Sequence, residues 1–208
     1  MGKPFSPACE RNREPILGQL NGLLAKHHRV LEIGSGTGQH AVHFGQHLPH
    51  LLWQTSDLPD NHPAIHAWLD EARLANVLPP LTLDMANAGW ADRAGVPAGG
   101  GFDAVYSANT AHIMSWPQVQ TMLAGVAALL PPDGVFVLYG PFIVAGEPIG
   151  EGNLRFDAAL RADAPHRGLR ELDVMRDAAA NRGLLLDTVH LMPADNRLLV
   201  FIRQAAPG

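Results

Sequence analysis

Cysteine is almost absent from this sequence. Cys9 is the only one among 208 residues, so no disulfide can form within the chain. Disulfides are typical of oxidising compartments and of small domains that lack a large core. A chain of this length can bury about 70% of the surface that its unfolded form exposes, so we expect a stable core without a disulfide or a structural metal.

Long apolar runs and clusters of basic residues are also missing. No stretch approaches the roughly 20 apolar residues that span a bilayer, and the first residues contain no apolar signal-peptide core. The formal net charge is −5, whereas nucleic-acid-binding proteins usually carry a basic stripe. We therefore expect a cytoplasmic protein that acts on a small molecule, with no nucleic acid or membrane as its partner. The sequence does not define an oligomeric state.

Nothing in the sequence divides the chain. It contains no internal repeat, low-complexity tract or linker. We therefore predict a single domain over residues 1–208, which opens with a helical segment within residues 1–28.

Short apolar strands alternate with helical patterns along the chain. Strands are predicted at 29–33, 51–57, 81–84, 102–109, 135–139, 184–192 and 198–203, and helices at 8–26, 39–47, 63–75, 116–130, 153–161 and 170–182. The segment 86–101 is predicted to be irregular, with a flexible turn at 99–101. This alternation predicts an α/β fold of the Rossmann-like type: a doubly wound, seven-stranded, mostly parallel sheet with an antiparallel edge strand.

Residues 141–170 differ from the rest in being rich in glycine, proline and charge. We predict a long functional loop that carries one short helix. Candidate contacts to a substrate in this segment are Asn153, Phe156 and Asp157.

Three glycines follow the first predicted strand, in Glu32-Ile33-Gly34-Ser35-Gly36-Thr37-Gly38. Glycine permits positive φ and close approach of the backbone to a ligand, and the next helix offers free N–H groups. Dinucleotide-binding proteins favour a further glycine three residues after the second, where this chain has Gln39. Glu32 suits a cationic ligand, such as the ammonium and sulfonium groups of S-adenosylmethionine (SAM), better than a pyrophosphate. The alternative is a tight turn without a ligand. The predicted contacts to SAM in this segment are Glu32, Gly34, Ser35, Gly36, Thr37 and Gly38.

Polar side chains also end the next three predicted strands. Ligands of open α/β sheets bind at the carboxyl ends of strands. Asp57, with Leu58 after it, is predicted to accept the ribose hydroxyls, and Asp84, with Met85 after it, an adenine amino hydrogen. Both acids have an alternative role as helix caps or turn residues. Asn109 is predicted to hold the amino-acid end of the cofactor or the acceptor.

Several other polar residues are candidates for the site. His40 lies one turn into the helix after the glycine loop and is predicted to approach the cofactor. Arg11 and Asn12 either face the methionine carboxylate as part of a lid or belong to a solvated helix start. His112 is a candidate general base, because histidine titrates near neutrality, with a packing role as the alternative. Tyr139 is a second candidate catalytic residue. His43 and His47 have metal-ligand spacing, but no metal is expected because the sequence nearby offers no acidic or cysteine partner.

The glycine loop with Asp57, Asp84 and Asn109 resembles the class I SAM-dependent methyltransferases over about residues 29–139. Five further segments resemble the methyltransferase-like family called domain of unknown function 938. They are Ser6-Pro7-Ala8 with Glu10-Arg11-Asn12 and Glu14-Pro15-Ile16, Gly36-Thr37-Gly38-Gln39-His40-Ala41, Trp53-Gln54-x-Ser56-Asp57, Tyr139-Gly140-Pro141-Phe142, and Met192-Pro193-Ala194-x-Asn196. The resemblance implies the seven-stranded fold with a reversed edge strand and SAM as cofactor, and it names no substrate.

The sequence therefore predicts a SAM-dependent methyltransferase with an unidentified small-molecule acceptor. Two alternatives remain at this point. One is an NAD(P)-dependent oxidoreductase of the Rossmann class, which Gln39 disfavours. The other is a non-catalytic module that binds SAM or a protein partner. The adenine-base N-methylase signature is replaced here by Asn109-Thr110-Ala111-His112, which disfavours methylation of nucleic-acid bases.

Overall fold

A computed structural model describes residues 3–95 and 100–205 of the chain. The described helices are α1 (Pro7–Leu23), α2 (Gln39–His47), α3 (His62–Ala72), α4 (Trp90–Ala94), α5 (Trp116–Leu129), α6 (Glu151–Asp163) and α7 (Leu172–Ala180), with a short 3-10 helix at Pro59–Asn61. The described strands are β1 (Arg29–Ile33), β2 (Leu52–Asp57), β3 (Val77–Thr82), β4 (Ala104–Ala108), β5 (Val135–Ile143), β6 (Arg170–Glu171), β7 (Leu184–Met192) and β8 (Asn196–Arg203).

The chain forms two compact units. The first contains residues 1–84 and 92–107, and the second contains residues 85–91 and 108–208. The single domain over 1–208 stays a prediction.

The first unit is built on parallel strands in the order β3-β2-β1-β4. In β1, four of the five residues are buried, as expected for a strand of a parallel sheet that is covered on both faces. The helix α1 begins after Ser6, whose side chain accepts a hydrogen bond from the Cys9 amide. Pro15 lies inside this helix. The parallel register brings the ends of β1 and β2 to the same edge of the sheet.

The second unit contains the reversed strand. The strand β8 pairs antiparallel with both β5 and β7, and the two-residue strand β6 pairs parallel with β5. The β7–β8 turn places Ala194 and Asp195 at φ 57 and 54, the left-handed conformation that tight hairpins require. A capping box at Ser115 and Gln118 begins α5. Among the described strands, pairing is parallel in the first unit and mixed in the second, and helices separate most of them, which confirms the predicted α/β fold class.

Several boundaries predicted from the sequence are wrong. The strand β3 covers Val77–Thr82 and not 81–84. The strand contains two prolines. It ends the strand order of the first unit, and an edge strand tolerates proline because it lacks one partner. The strand β5 runs on to Ile143 because Gly140 and Pro141 still pair with β8. Residues 170 and 171 form β6, so the last helix begins only at Leu172.

Two predicted irregular segments contain more structure than expected. The helix α4 lies within 86–101, and α6 is longer than predicted and occupies 13 residues of the segment 141–170. Of the predicted turn at 99–101, Gly99 lies outside the described residues. Among the described helices, none is long and apolar enough to cross a membrane.

Candidate cofactor site in the first unit and polar cluster in the second

The glycine loop has a backbone that only glycine adopts easily. Gly34, Gly36 and Gly38 have φ of 74, 57 and 86, so side chains at these positions would strain the backbone. A Cβ added at Gly38 would lie 3.1 Å from the Ile65 Cα atom, whereas one at Gly36 would meet nothing within 4 Å. Gly38 is therefore required for the packing of α3, and Gly36 borders open space.

Hydrogen bonds tie this loop to the end of β2. The Gly34 and Ser35 amides donate to the Ser56 carbonyl oxygen at 3.1 and 2.9 Å. The Gly36 amide donates to Asp57 Oδ2 at 2.7 Å. The other oxygen of Asp57, Oδ1, accepts from the Leu58 amide at 2.7 Å and from Asn61 Nδ2 at 2.8 Å. The carboxylate is thus fixed against the loop, and its oxygens offer about four acceptor positions in total.

Glu32 is a buried carboxyl group under the loop. It is 2% exposed, and its Oε2 atom accepts hydrogen bonds from Ser35 Oγ at 2.9 Å and from Trp53 Nε1 at 3.0 Å. Burial raises the pKa of Glu32 to about 7, although the two hydrogen bonds lower it. A buried carboxyl with a pKa near neutrality is typical of functional sites, because a change in its surroundings easily changes its charge.

The N-terminal segment is fastened to the first turn of α2. Gln39 Oε1 accepts from the Ser6 amide and from Thr37 Oγ1, and Gln39 Nε2 donates to the Ser6 carbonyl oxygen. His40 Nε2 lies 2.7 Å from Asn12 Oδ1, and both residues are buried. Burial lowers the pKa of His40 to about 4, so the ring is neutral at pH 7 and donates to Asn12.

The remaining candidates of the first unit are more exposed. Arg11 and Asp84 are exposed, and Leu58 is 46% exposed. Asp84 lies two residues beyond the end of β3 and does not itself end the strand. The sequence thus predicted the wrong position for this acid relative to its strand.

The histidines of α2 form a cluster at its far end. The His43 and His47 rings are 4.4 Å apart, and His43 Nε2 lies 3.4 Å from Glu14 Oε1. This acid comes from α1, so only the tertiary structure supplies the partner that the sequence nearby lacks. Within residues 3–95 and 100–205, no group of three or more potential ligands could hold a metal ion.

In the second unit, Asn109 and His112 border a space beside β5. The Asn109 amide donates to the Tyr139 carbonyl oxygen at 2.9 Å, and Asn109 has φ 58. A Cβ added at Gly140 would lie 3.9 Å from both Asn109 Oδ1 and His112 Nδ1. Two polar atoms therefore face the space that the missing side chain of Gly140 leaves.

Burial and a nearby cation keep His112 neutral. The residue is 5% exposed, and desolvation together with the charge of Arg170 lowers its pKa to about 4. Arg170 donates to the carbonyl oxygens of Ala111 and Met114, so it also holds the segment that carries His112. The Phe156 ring, 40% exposed, meets the His112 ring edge-on with centroids 5.1 Å apart.

The other candidate residues of the second unit are either buried or hydrogen-bonded within the protein. Tyr139 and Met85 are buried at 3% and 5% exposure. Asp157 accepts from the Leu169 amide at 2.7 Å and from Arg161 Nε at 2.8 Å, and it thereby joins α6 to the segment before β6. Asn153 Nδ2 donates to the Asp195 carbonyl oxygen at 3.4 Å.

Three residues of these networks were not selected from the sequence. Trp53 is the donor to Glu32, Gln39 joins the N-terminal segment to α2, and Arg170 holds the segment around His112. Trp53 and Gln39 both lie in segments that carry the family resemblance, and that resemblance could have identified them as candidates. Arg170 carries no such signal, because its two partners near His112 are backbone carbonyls more than 50 positions away.

Solved structures of methyltransferases share this fold. An O-methyltransferase family protein from Burkholderia thailandensis matches 96% of this chain with a TM-score of 0.80 at 17% identity, and the match covers 58% of that protein. Human N-acetylserotonin methyltransferase in complex with SAM matches 95% with a TM-score of 0.73 at 11% identity, over 53% of its own length. The N,N-8-amino-8-demethyl-D-riboflavin dimethyltransferase of Streptomyces davawensis matches 95% with a TM-score of 0.72 at 16% identity, over 55%.

These similarities show that the chain shares the fold of these solved methyltransferases. The chain spans somewhat more than half the length of the solved structures that it matches. Residues 3–203 match the profile of the family described as protein of unknown function, DUF938. The chain belongs to this family, which confirms the resemblance seen in its sequence.

The burial of Glu32 makes stability depend on pH, and the hydrogen bond from Trp53 reduces that dependence. The pKa of Glu32 is about 7 when folded against 4.5 for the free group, so the folded protein binds more protons than the unfolded one and loses stability as pH rises through that window. Trp53→Phe removes a donor to the ionised form and raises the pKa further. The Trp53→Phe variant should therefore lose more unfolding free energy at pH 8.5, where Glu32 is ionised in the natural protein, than at pH 5.5. We expect a difference of about 1–2 kcal/mol between the two pH values, measured by urea titration.

Trp90→Phe provides the matched control. Trp90 is as fully buried as Trp53, but its indole donates to the Thr121 carbonyl oxygen, which does not titrate. Its loss of stability should therefore be equal at the two pH values. An equal loss for Trp53→Phe at both values would show that the bond to Glu32 does not control this pH dependence.

Proposed function

We propose that this protein is a SAM-dependent methyltransferase that acts on a small-molecule acceptor, and that its first unit binds SAM. The observation that carries the proposal is the hydrogen bond from the Gly36 amide to Asp57, which joins a glycine loop and an acid into one site. The fold of solved methyltransferases and the open space at Gly36 support it.

Glu32 fits the cationic part of SAM. Both hydrogen bonds to its carboxyl group within the described residues end on Oε2, so Oε1 keeps its acceptor positions for a ligand. A cation beside a carboxyl group with a pKa of about 7 favours the ionised form. We propose that Glu32 gives up its proton when SAM binds.

Asp57 fits the ribose of the cofactor. Its three hydrogen bonds to the protein orient both oxygens and leave acceptor capacity for a hydroxyl. Gln39 fits SAM better than a dinucleotide, because its side chain fills the position of the usual third glycine and is buried against Ser6. The other contacts predicted to the cofactor in the first unit stay part of this proposal: Arg11, Asn12, Gly34, Ser35, Thr37, Gly38, His40, Leu58 and Asp84. Met85 and Asn109 belong to the second unit, and their contacts to the cofactor stay predictions.

The acceptor side of the reaction is proposed for the second unit. SAM supplies an electrophilic methyl group on its sulfonium, so the protein needs mainly to align the acceptor and exclude water. His112, neutral at pH 7, can accept a hydrogen bond from the O–H or N–H of an acceptor. Tyr139 is proposed as a second catalytic residue, with Asn153, Phe156 and Asp157 as contacts to the acceptor.

Calorimetry of the purified protein with SAM, S-adenosylhomocysteine and NAD tests the cofactor. We expect binding of the first two and none of NAD. Asp57→Ala should weaken SAM binding by about 30-fold or more, since it removes a charged partner of the ribose and of the loop. Asp60→Ala removes an exposed acid of the adjacent 3-10 helix and should leave the affinity unchanged. Binding of NAD without SAM would instead support an oxidoreductase.

The proposed ionisation of Glu32 predicts that SAM affinity depends on pH. Because the ionised form binds the cation, affinity should rise by up to about tenfold from pH 6 to pH 8, as the pKa of about 7 is passed. Glu32→Gln keeps an oxygen for Ser35 and Trp53 but carries no charge. It should bind SAM weakly and with no such rise. A pH-independent affinity of the natural protein would disprove the coupling.

Methyl transfer itself is tested by tracing a labelled methyl group. The protein is incubated with methyl-labelled SAM and a metabolite extract, and labelled products are identified by mass spectrometry. His112→Asn should bind SAM with unchanged affinity but transfer at least about tenfold less label, since it loses the group that meets the acceptor. His66→Asn, at an exposed position of α3, is the control. SAM binding without any labelled product would favour a non-catalytic module.

A further inference from the structure

The second unit contains a cavity at the end of β5. It has a volume of about 260 Å³ and is lined by residues of the segment 142–153 and of the β7–β8 turn. Phe142, Val144 and Ile149 form its apolar lining. Sites for drug-sized ligands usually have volumes of about 300–1,000 Å³, so this cavity has room only for a smaller molecule.

The charged side chains of the cavity leave one negative charge in excess. Arg197, Glu147 and Asp195 all line it. Arg197 Nη2 pairs with Glu147 Oε2 at 2.6 Å, and the arginine side chain is only 13% exposed. Asp195 is exposed at the mouth of the cavity, and among the described residues no side chain or backbone N–H donates to its carboxylate. In this cavity, Arg197 is therefore already paired with an acid, whereas the Asp195 carboxylate has no paired cation.

The backbone around Asp195 fixes the place of this carboxylate. Ala194 and Asp195 both have positive φ, which is strained for residues with a side chain. A Cβ added at Gly150 would lie 2.3 Å from Asp195 Oδ2, so the glycine lets the carboxylate approach the start of α6. Asn153, in the first turn of this helix, donates to the Asp195 carbonyl oxygen. The turn and the helix thus hold Asp195 at the cavity from two sides.

We propose that this cavity binds a small molecule that joins a cationic nitrogen to a short apolar body. The nitrogen pairs with the Asp195 carboxylate, and the apolar body lies against Phe142 and Ile149. An anionic ligand fits less well, because it would have to displace Glu147 from Arg197. The site requires neither SAM nor methyl transfer, although Asn153, which is proposed above as a contact to the acceptor, also lines it.

Titration of the ¹⁵N-labelled protein with three probes of similar shape, without SAM, tests this proposal. The probes are 2-phenylethylamine, 2-phenylethanol and 3-phenylpropionate, which carry a positive, no and a negative charge at neutral pH. We expect the amine to shift the backbone amide signals of Val144, Ile149 and Gly150, and to bind about fivefold or more tightly than the acid. Equal or tighter binding of the acid, or no shift at these amides, would overturn the proposal.

Two variants change the charge of the cavity in different ways. Asp195→Asn tolerates the positive φ and should remove the preference for the amine. Glu147→Gln leaves Arg197 without its partner and should raise the affinity for the acid by about fivefold. Asp187→Asn, which removes an exposed acid of β7 outside the cavity, should preserve the natural preference. Dispersed spectra establish that each variant is folded, and an unchanged preference in both cavity variants would contradict the proposal.

Discussion

The short hydrogen bond between the Gly36 amide and the Asp57 carboxylate is the contact on which the candidate site depends. It joins the loop after β1 to the end of β2, beside the two bonds that the loop makes to the Ser56 carbonyl oxygen. The bond forms only because glycine adopts positive φ on the loop and because parallel strands end at the same edge. Glu32 in β1 precedes this junction and α2 follows it.

Buried polar groups around the glycine loop have pKa values that differ from those of the same groups in water. Glu32 has a raised pKa and His40 a lowered one, and burial is the main cause of both. Each is hydrogen-bonded, to Trp53 and Ser35 or to Asn12, which offsets part of the cost of desolvation. Such networks are costly when only partly satisfied. In the second unit, His112 is likewise held neutral by burial and by the charge of Arg170.

Much of the fold was predictable because its strands are short and apolar. The limits of β1 and β7 agree with the prediction, and the hairpin of β7 and β8 follows the turn residues between them. The errors in the predicted strand boundaries occur where pairing with a distant strand, or the lack of it, determines the structure. Prolines are tolerated in β3 at a sheet edge, and β5 continues through Gly140 and Pro141 because β8 pairs with it. A local pattern contains no record of such partners.

The sequence by itself determined the fold class, the glycine loop and the family. These depend on local features: periodic apolar residues, glycines that are free to adopt positive φ, and motifs of adjacent residues. Only the tertiary structure decided which polar groups meet, such as Trp53 with Glu32, Asn12 with His40 and Glu147 with Arg197. These partners are 21 to 50 positions apart in the chain. Their charge states and contacts follow from burial and distance, which arise only when the chain is folded.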